Sequence, residues 1–81
     1  MEKNWEKVVI HTDYITLGQF LKFEDIIREG GEAKEFIMSH SIKINGEENK
    51  QRGKKLYPGT TIEIDKTMFF EITKWLFKKL N

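Results

Sequence analysis

The chain has 81 residues, of which 33% are charged and 38% hydrophobic, and its formal net charge at pH 7 is only +1. This length predicts a single domain, residues 1–81, whose modest core buries only about 60% of the surface that the unfolded chain exposes. The absence of cysteine excludes disulfides, a cysteine nucleophile and thiolate metal sites. No apolar run approaches the ~20 residues of a membrane span or forms a signal peptide, so we expect a soluble cytoplasmic protein.

The first predicted elements are a strand and a short helix. Residues 7–12 contain three consecutive β-branched side chains, which favour a strand. Asp13 or Thr16 can then cap a helix that begins near Leu17, because their side-chain oxygens accept hydrogen bonds from free main-chain N–H groups. Glu24 interrupts the apolar face of this helix, so we expect the helix to end or bend there. The apolar face consists of Leu17, Phe20 and Leu21.

A glycine pair predicts a break before a second helix. Gly30 and Gly31 have weak helix propensity and give the main chain freedom to turn. The sequence that follows places Ala33, Phe36 and Ile37 on one side of a helix. The two helices are therefore expected to be short and joined by a tight turn.

Strands fill the remainder of the chain. Ile42 and Ile44 alternate with a lysine and lead into Asn45-Gly46, the pair that best tolerates the positive φ angles of a hairpin turn. A Pro-Gly turn precedes an alternating strand at 61–65, and the segment 68–75 is typical of a last strand. This order of one strand, two helices and several strands predicts an α+β domain without repeats or linkers.

The final residues allow two interpretations. Trp75, Leu76, Phe77 and Leu80 can form a short amphipathic helix or extend the last strand. We expect this tail to cover the domain's own core, and a contact with a partner or a membrane is the alternative. Two to three helical turns make a weak membrane anchor.

The sequence lacks the residue patterns of known catalytic and metal sites. His11 and His40 are the only histidines, without zinc-ligand spacing around them. The glycines form no phosphate-binding motif, and we find no pairing of a nucleophile with a base. We therefore expect no catalysis, cofactor, metal or small-molecule substrate. The acidic residues of the helical region are expected to be a solvated face, and they are Glu24, Asp25, Glu29, Glu32 and Glu35.

The positive charge of the chain is concentrated in one segment. Residues 49–62 hold four basic side chains and no acidic one, whereas residues 1–48 hold ten acidic and six basic ones. Within a Debye length of about 8–10 Å, such a local cluster determines what a partner experiences. Arginine offers phosphate a planar fork and lysine a mobile charge, so the segment suits a nucleic-acid backbone. A solvated run that only improves solubility is an equally good explanation. The basic residues are Lys50, Arg52, Lys54 and Lys55.

Four motifs in order give the sequence a family resemblance. They read TLGQFLK, EAKEFI, IKING and YPGTTIEI, and they lie within residues 16–65. In this order and spacing they resemble the RNA-binding domain of ribosomal small-subunit protein S-four, also called the αL motif. ITLGQFLK, GGEAK and RGKKLYPG further resemble its small stand-alone bacterial branch, the YaaA-like proteins. The resemblance implies two short helices packed on a small curved, mainly antiparallel sheet, followed by a C-terminal strand and tail at 66–81.

The resemblance also implies where RNA is bound. RNA would lie across the two helices and the loop that follows the hairpin, held through its backbone and shape. The basic positions that match the family's motifs are Lys22, Lys34, Lys43, Arg52, Lys54 and Lys55. Lys50 is also predicted to contact RNA, because it is one of the four basic residues of the loop.

Two departures from the family pattern reduce the positive charge of the helical face. Thr16 replaces the arginine that commonly opens the first helix, and Gly30-Gly31 replace a basic pair before the second. Thr16 and Gln19 can still hydrogen-bond phosphate or ribose hydroxyls. The N–H groups of Gly30 and Gly31, at the start of the second helix, can bind an anion.

The sequence therefore predicts a non-enzymatic bacterial RNA-binding module in translation or ribosome assembly. The expected partner is structured ribosomal RNA or a tRNA-like element, and the ribosome itself can be a partner. The alternative is a protein-interaction module that uses the acidic N-terminal portion and the aromatic C-terminal tail, since aromatic residues often anchor interfaces.

Overall fold

The computed structural model describes residues 4–75. Within these residues the chain forms two α-helices, a turn of 3-10 helix and seven strands. The helices are α1 (Leu17–Phe23) and α2 (Ala33–Ser39), and the 3-10 turn is Gly30–Glu32. The strands are β1 (Glu6–Ile10), β2 (Ile15–Thr16), β3 (Ile42–Ile44), β4 (Glu47–Glu48), β5 (Lys55–Leu56), β6 (Thr61–Ile64) and β7 (Met68–Lys74).

Five of the strands form one sheet in the order β1-β7-β6-β3-β4, and β2 pairs with β5 in a separate two-stranded ladder. All neighbours are antiparallel except β1 and β7, which run parallel with Val8 opposite Ile72. The predicted α+β class, with two short helices and a mainly antiparallel sheet, is confirmed. Among the described residues, no helix is long and apolar enough to cross a membrane.

The core lies between the helices and the inner face of the five-stranded sheet. β3 pairs with β6 so that Ile42 lies opposite Ile64 and Ile44 opposite Ile62. All four side chains point to the same face of the sheet and are buried. Phe20 of α1 meets Phe70 of β7 edge to face, with ring centroids 5.0 Å apart. Each such buried side chain contributes about 1.5–3 kcal/mol through removal of apolar surface from water. The helices add their own buried face, which consists of Leu17, Phe20, Leu21, Ala33 and Ile37.

The first strand and the first helix differ in detail from their predicted bounds. β1 ends at Ile10, two residues earlier than expected, and the ring of His11 then stacks on Trp75 at 5.5 Å. Thr16 rather than Asp13 caps α1, because the helix begins at Leu17 and Thr16 is the residue directly before it. The Asp13 carboxylate instead lies 3.0 Å from Nζ of Lys74. The helix ends at Phe23, as the interruption at Glu24 predicts.

Three turns that connect described strands contain residues with positive φ angles. Two of them have glycine at such a position, as the Asn-Gly and Pro-Gly sequences predict, and the third has no glycine. Asn45 and Gly46 adopt φ angles of 54° and 87°, as the hairpin prediction requires. Gly59 also has positive φ, and its N–H donates to the Ile72 carbonyl at 2.7 Å. The turn between β6 and β7 places Asp65 and Lys66 at φ 53° and 59° without any glycine. The predicted tail contacts of residues 76–80 lie outside the described residues.

Candidate nucleic-acid interface

The basic loop, residues 49–55, is bonded to the start of α1 through its main chain. The N–H of Leu17 donates to the Lys54 carbonyl at 2.8 Å, and the N–H of Gly18 donates to the Arg52 carbonyl at 2.9 Å. The first N–H groups of a helix have no partner within the helix. The loop supplies those partners, so the start of α1 fixes the position of the two basic residues.

A capping box completes the start of α1. The Thr16 hydroxyl accepts from the Gln19 N–H at 3.2 Å, and Oε1 of Gln19 accepts from the Thr16 N–H at 2.9 Å. The main-chain N–H groups there are thus occupied, and an anion would have to be held by side chains. Both side-chain oxygens act as acceptors in this box, which leaves the Thr16 hydroxyl proton and the Gln19 amide hydrogens as donors.

Gly18 lets the basic loop approach the helix closely. A Cβ atom at this position would lie 2.8 Å from Cγ of Arg52 and 3.5 Å from the Arg52 carbonyl oxygen. The first distance is too short for carbon atoms that are not bonded. Gly18 was not predicted as a site residue, although a glycine inside a helix costs about 1 kcal/mol relative to alanine and is therefore a signal.

An open groove of about 470 Å³ lies between α1, the 3-10 turn and the basic loop. Lys22 and Arg52 contribute positive charge to it, and no carboxylate of residues 4–75 lines it. Glycine at three lining positions leaves room at its walls. We call this feature the basic groove, and its lining residues are Thr16, Gly18, Gln19, Lys22, Gly30, Arg52 and Gly53.

Two further predicted residues lie close to the basic groove along the chain. Lys54 is exposed in the basic loop, next to the glycine that lines the groove. Lys55 is exposed on β5, with its Nζ 4.9 Å from the centroid of the Tyr14 ring. A cation over an aromatic face is attracted to it and still keeps donors for other ligands.

Lys50 has a different environment from the other basic residues of the loop. Its Nζ donates to the His40 carbonyl at 2.6 Å and to the Ile37 carbonyl at 3.1 Å, and it lies 3.6 Å from a Glu48 carboxylate oxygen. The last carbonyls of a helix lack partners within it, and lysine commonly satisfies them. Lys50 therefore stabilises the end of α2, away from the lining of the basic groove.

The end of α2 is also tied to the β6–β7 turn. Nδ1 of His40 lies 2.6 Å from Oδ2 of Asp65, and the Ser41 N–H donates to Oδ1 at 2.9 Å. These hydrogen bonds, that of His40 first, lower the pKa of the Asp65 carboxyl below its ordinary value. The His40 ring stacks on Phe36 at 3.9 Å, so this histidine has structural contacts.

The structure does not bring the other three predicted residues to the lining of the basic groove. Gly31 is exposed in the 3-10 turn, where its neighbour Gly30 reaches the groove instead, and Lys34 is exposed on α2. Lys43 alternates with buried isoleucines and thus faces away from the helices. Its neighbours across the sheet are Glu48 and Glu63.

Two acidic residues of the helical region, Glu32 and Glu24, interact with neighbouring groups. Glu32 accepts from the Arg28 N–H at 3.2 Å. Partial burial, the charge and hydrogen bond of Glu6, and the charge of Asp25 raise the pKa of the Glu24 carboxyl. Among residues 4–75, no group of three or more histidine or acidic side chains is arranged to hold a metal ion.

Comparison with known proteins gives two matches. The family model of the S4 domain matches residues 8–72. A curated relative from Bacillus subtilis (strain 168), named "Probable ribosome maturation protein RlbA", is 45% identical over 65 residues. That match covers 80% of this chain and 92% of the relative.

Proposed function

Since this chain belongs to the S4 domain family, as its sequence motifs predicted, we propose that it binds RNA through the basic groove. The supporting observation is the attachment of the basic loop to the start of α1 by two main-chain hydrogen bonds. This attachment holds Arg52 in the groove that Lys22 also lines, and no carboxylate of the described residues lines that groove. Such a site can hold phosphates in a fixed arrangement without reading bases.

The proposed contacts differ in strength of support. Lys22 and Arg52 line the basic groove, and Lys54 and Lys55 extend its positive charge along the loop and β5. The donors of Thr16 and Gln19 fit phosphate or ribose oxygens. The contacts predicted at Gly31, Lys34, Lys43 and Lys50 stay predictions, and the carbonyls around Lys50 compete with phosphate for its ammonium group.

The proposed role is ribosome maturation in the bacterial cytoplasm, without catalysis. The name of the relative, at 45% identity over 80% of this chain, supports this role. The proposed ligand is structured ribosomal RNA or a tRNA-like element, recognised by backbone and shape. Crosslinking in cells followed by sequencing of the bound RNA identifies it, and recovery of no RNA above background would contradict the proposal.

Salt dependence tests the electrostatic part of the proposal. If Lys22, Arg52, Lys54 and Lys55 each neutralise one phosphate, log K should fall against log salt with a slope of roughly −3, at about −0.7 to −0.9 per contact. The variant Arg52→Gln should make this slope shallower by about 0.7 to 0.9, the value of one phosphate contact. Lys7→Gln is the matched control, since Lys7 pairs with Glu71 on the sheet face opposite the helices. A flat salt dependence would overturn the mechanism.

A further inference from the structure

A second groove, of about 580 Å³, lies on the other side of Gln19. Two aromatic residues, Tyr14 and Phe23, are among the residues that line it. Phe23 is the last residue of α1 and is 60% exposed, although burial of its side chain would be worth about 1.5–3 kcal/mol. We call this feature the aromatic groove.

The charges that line the two grooves differ. Lys22 and Arg52 line the basic groove, whereas the charged residue in the described lining of the aromatic groove is Asp13, whose carboxylate pairs with Lys74 at 3.0 Å. Within the part of the chain that the structure describes, unpaired positive charge that attracts phosphate is therefore part of the lining of the basic groove, whereas the charge in the lining of the aromatic groove is paired. A nucleobase is uncharged and has two aromatic faces, so it suits the aromatic groove.

Gln19 joins the two grooves. It lines both of them, and on α1 it lies one turn before Phe23, just as Gly18 lies one turn before Lys22. The exposed side of α1 thus presents a cation towards the basic loop and an aromatic ring towards the Tyr14 segment. A nucleotide that crosses Gln19 can place its phosphate in one groove and its base in the other.

From this arrangement, and resting on the proposed function, we propose that the aromatic groove binds one unpaired nucleobase of the RNA whose backbone occupies the basic groove. Phe23 supplies the open stacking surface. Tyr14 is held in place, because Lys55 Nζ lies 4.9 Å from its ring centroid and the Tyr57 ring lies 5.5 Å away. Stacking on an aromatic side chain is tolerant of sequence and contributes about 1–3 kcal/mol per base. The protein therefore distinguishes RNA with an unpaired nucleotide from continuous duplex.

Two RNA probes test this proposal. One is a hairpin with a single 2-aminopurine in its unpaired loop, and the other is a fully paired duplex with the same number of phosphates. Phe23→Leu keeps an apolar side chain but removes the ring, and Phe23→Trp keeps a ring. At fixed salt, Phe23→Leu should bind the hairpin roughly fivefold or more weakly while its duplex affinity is unchanged. Phe23→Trp should retain hairpin affinity, and 2-aminopurine emission should change on binding to it and to the wild type only.

The outcomes separate failure of this inference from failure of the proposed function. Equal hairpin affinity and equal emission for the wild type and Phe23→Leu would overturn base stacking, even if duplex binding remains salt-dependent. Equal loss of hairpin and duplex affinity in Phe23→Leu would also overturn it. Unchanged duplex binding in Arg52→Gln would instead contradict the basic groove, and circular dichroism of each variant confirms that it is folded.

Discussion

The main-chain N–H of Gly18 donates to the carbonyl of Arg52 at 2.9 Å, and no side-chain atom of Gly18 separates the helix from the loop. Together with the hydrogen bond from the Leu17 N–H to the Lys54 carbonyl, this contact joins the two parts of the proposed RNA site. Arg52 can point into the basic groove because its main chain is anchored at the first turn of α1. The geometry of the site thus depends on a residue that carries no charge.

Gly18→Ala should separate RNA affinity from stability. Alanine is favoured over glycine in a helix by about 1 kcal/mol, but its Cβ would lie 2.8 Å from Cγ of Arg52. We expect the loop to shift, so that RNA affinity falls severalfold while the urea midpoint changes little. Wild-type affinity in a folded Gly18→Ala variant would show that the close approach is not needed.

Charge reversal in the loop should distinguish RNA binding from the alternative of protein interaction. Lys54 and Lys55 are both exposed, and their replacement by glutamate adds repulsion towards phosphate without removing a buried contact. We expect the double variant Lys54→Glu, Lys55→Glu to lose retention of RNA in a filter-binding assay. If the variant still associates with its cellular partner, that partner is recognised by another surface.

Lys50→Met should reduce stability more than RNA binding. Methionine keeps the length of the side chain but cannot donate to the carbonyls of Ile37 and His40. Loss of these charge-assisted hydrogen bonds should lower the free energy of unfolding by about 1–2 kcal/mol. The slope of log K against log salt should stay the same. If the slope instead became shallower by about 0.7 to 0.9, the value of one phosphate contact, Lys50 would be assigned a contact with phosphate.

Glu24→Gln should stabilise the protein at neutral pH. Burial and the nearby Glu6 and Asp25 raise the pKa of Glu24, so folding favours its protonated form. The wild type has the benefit of this form below the ordinary pKa of 4.5 and loses it as the pH rises through the folded-state pKa. Thermal unfolding should therefore show a more stable variant at pH 7 and a smaller difference at pH 4.

Asp65→Asn should have the opposite pH dependence. The pKa of Asp65 is lowered by the hydrogen bonds from His40 and from the Ser41 N–H, so folding favours its ionised form. This stabilisation is present above the ordinary pKa of 3.8 and is lost as the pH falls through the folded-state pKa. The variant should be less stable than the wild type at pH 6 and approach it in acid. A constant difference over this range would assign the effect to the turn rather than to ionisation.

Local patterns in the sequence predicted much of the fold. The alternation of Ile42 and Ile44 and the Asn45-Gly46 turn depend on neighbouring residues, and the structure confirms both. The parallel pairing of β1 with β7 was not predicted. It joins residues 64 positions apart, as in the pair Lys7 and Glu71, and no local pattern identifies such a partner.

The position of the candidate site could be predicted to the extent that it depends on charge. A run of basic residues identified the loop, and Lys22 and Arg52 meet in one groove. The different environment of Lys50 could not be predicted, because its partners are main-chain carbonyls at the end of a helix more than ten residues away. Main-chain acceptors are the same for every residue type, so sequence carries no sign of them.

The pairing of β1 with β7 also affects the order of events during synthesis. Lys7 and Glu71 are 64 residues apart, and at 5–20 residues per second the ribosome needs roughly 3 to 13 seconds to make the intervening chain. During this time β1 has no strand beside it, and its buried side chains Val8 and Ile10 remain in water. The sheet of the nascent chain is therefore incomplete until β7 emerges. A chaperone that recognises exposed apolar side chains is expected to bind the chain mainly in that interval.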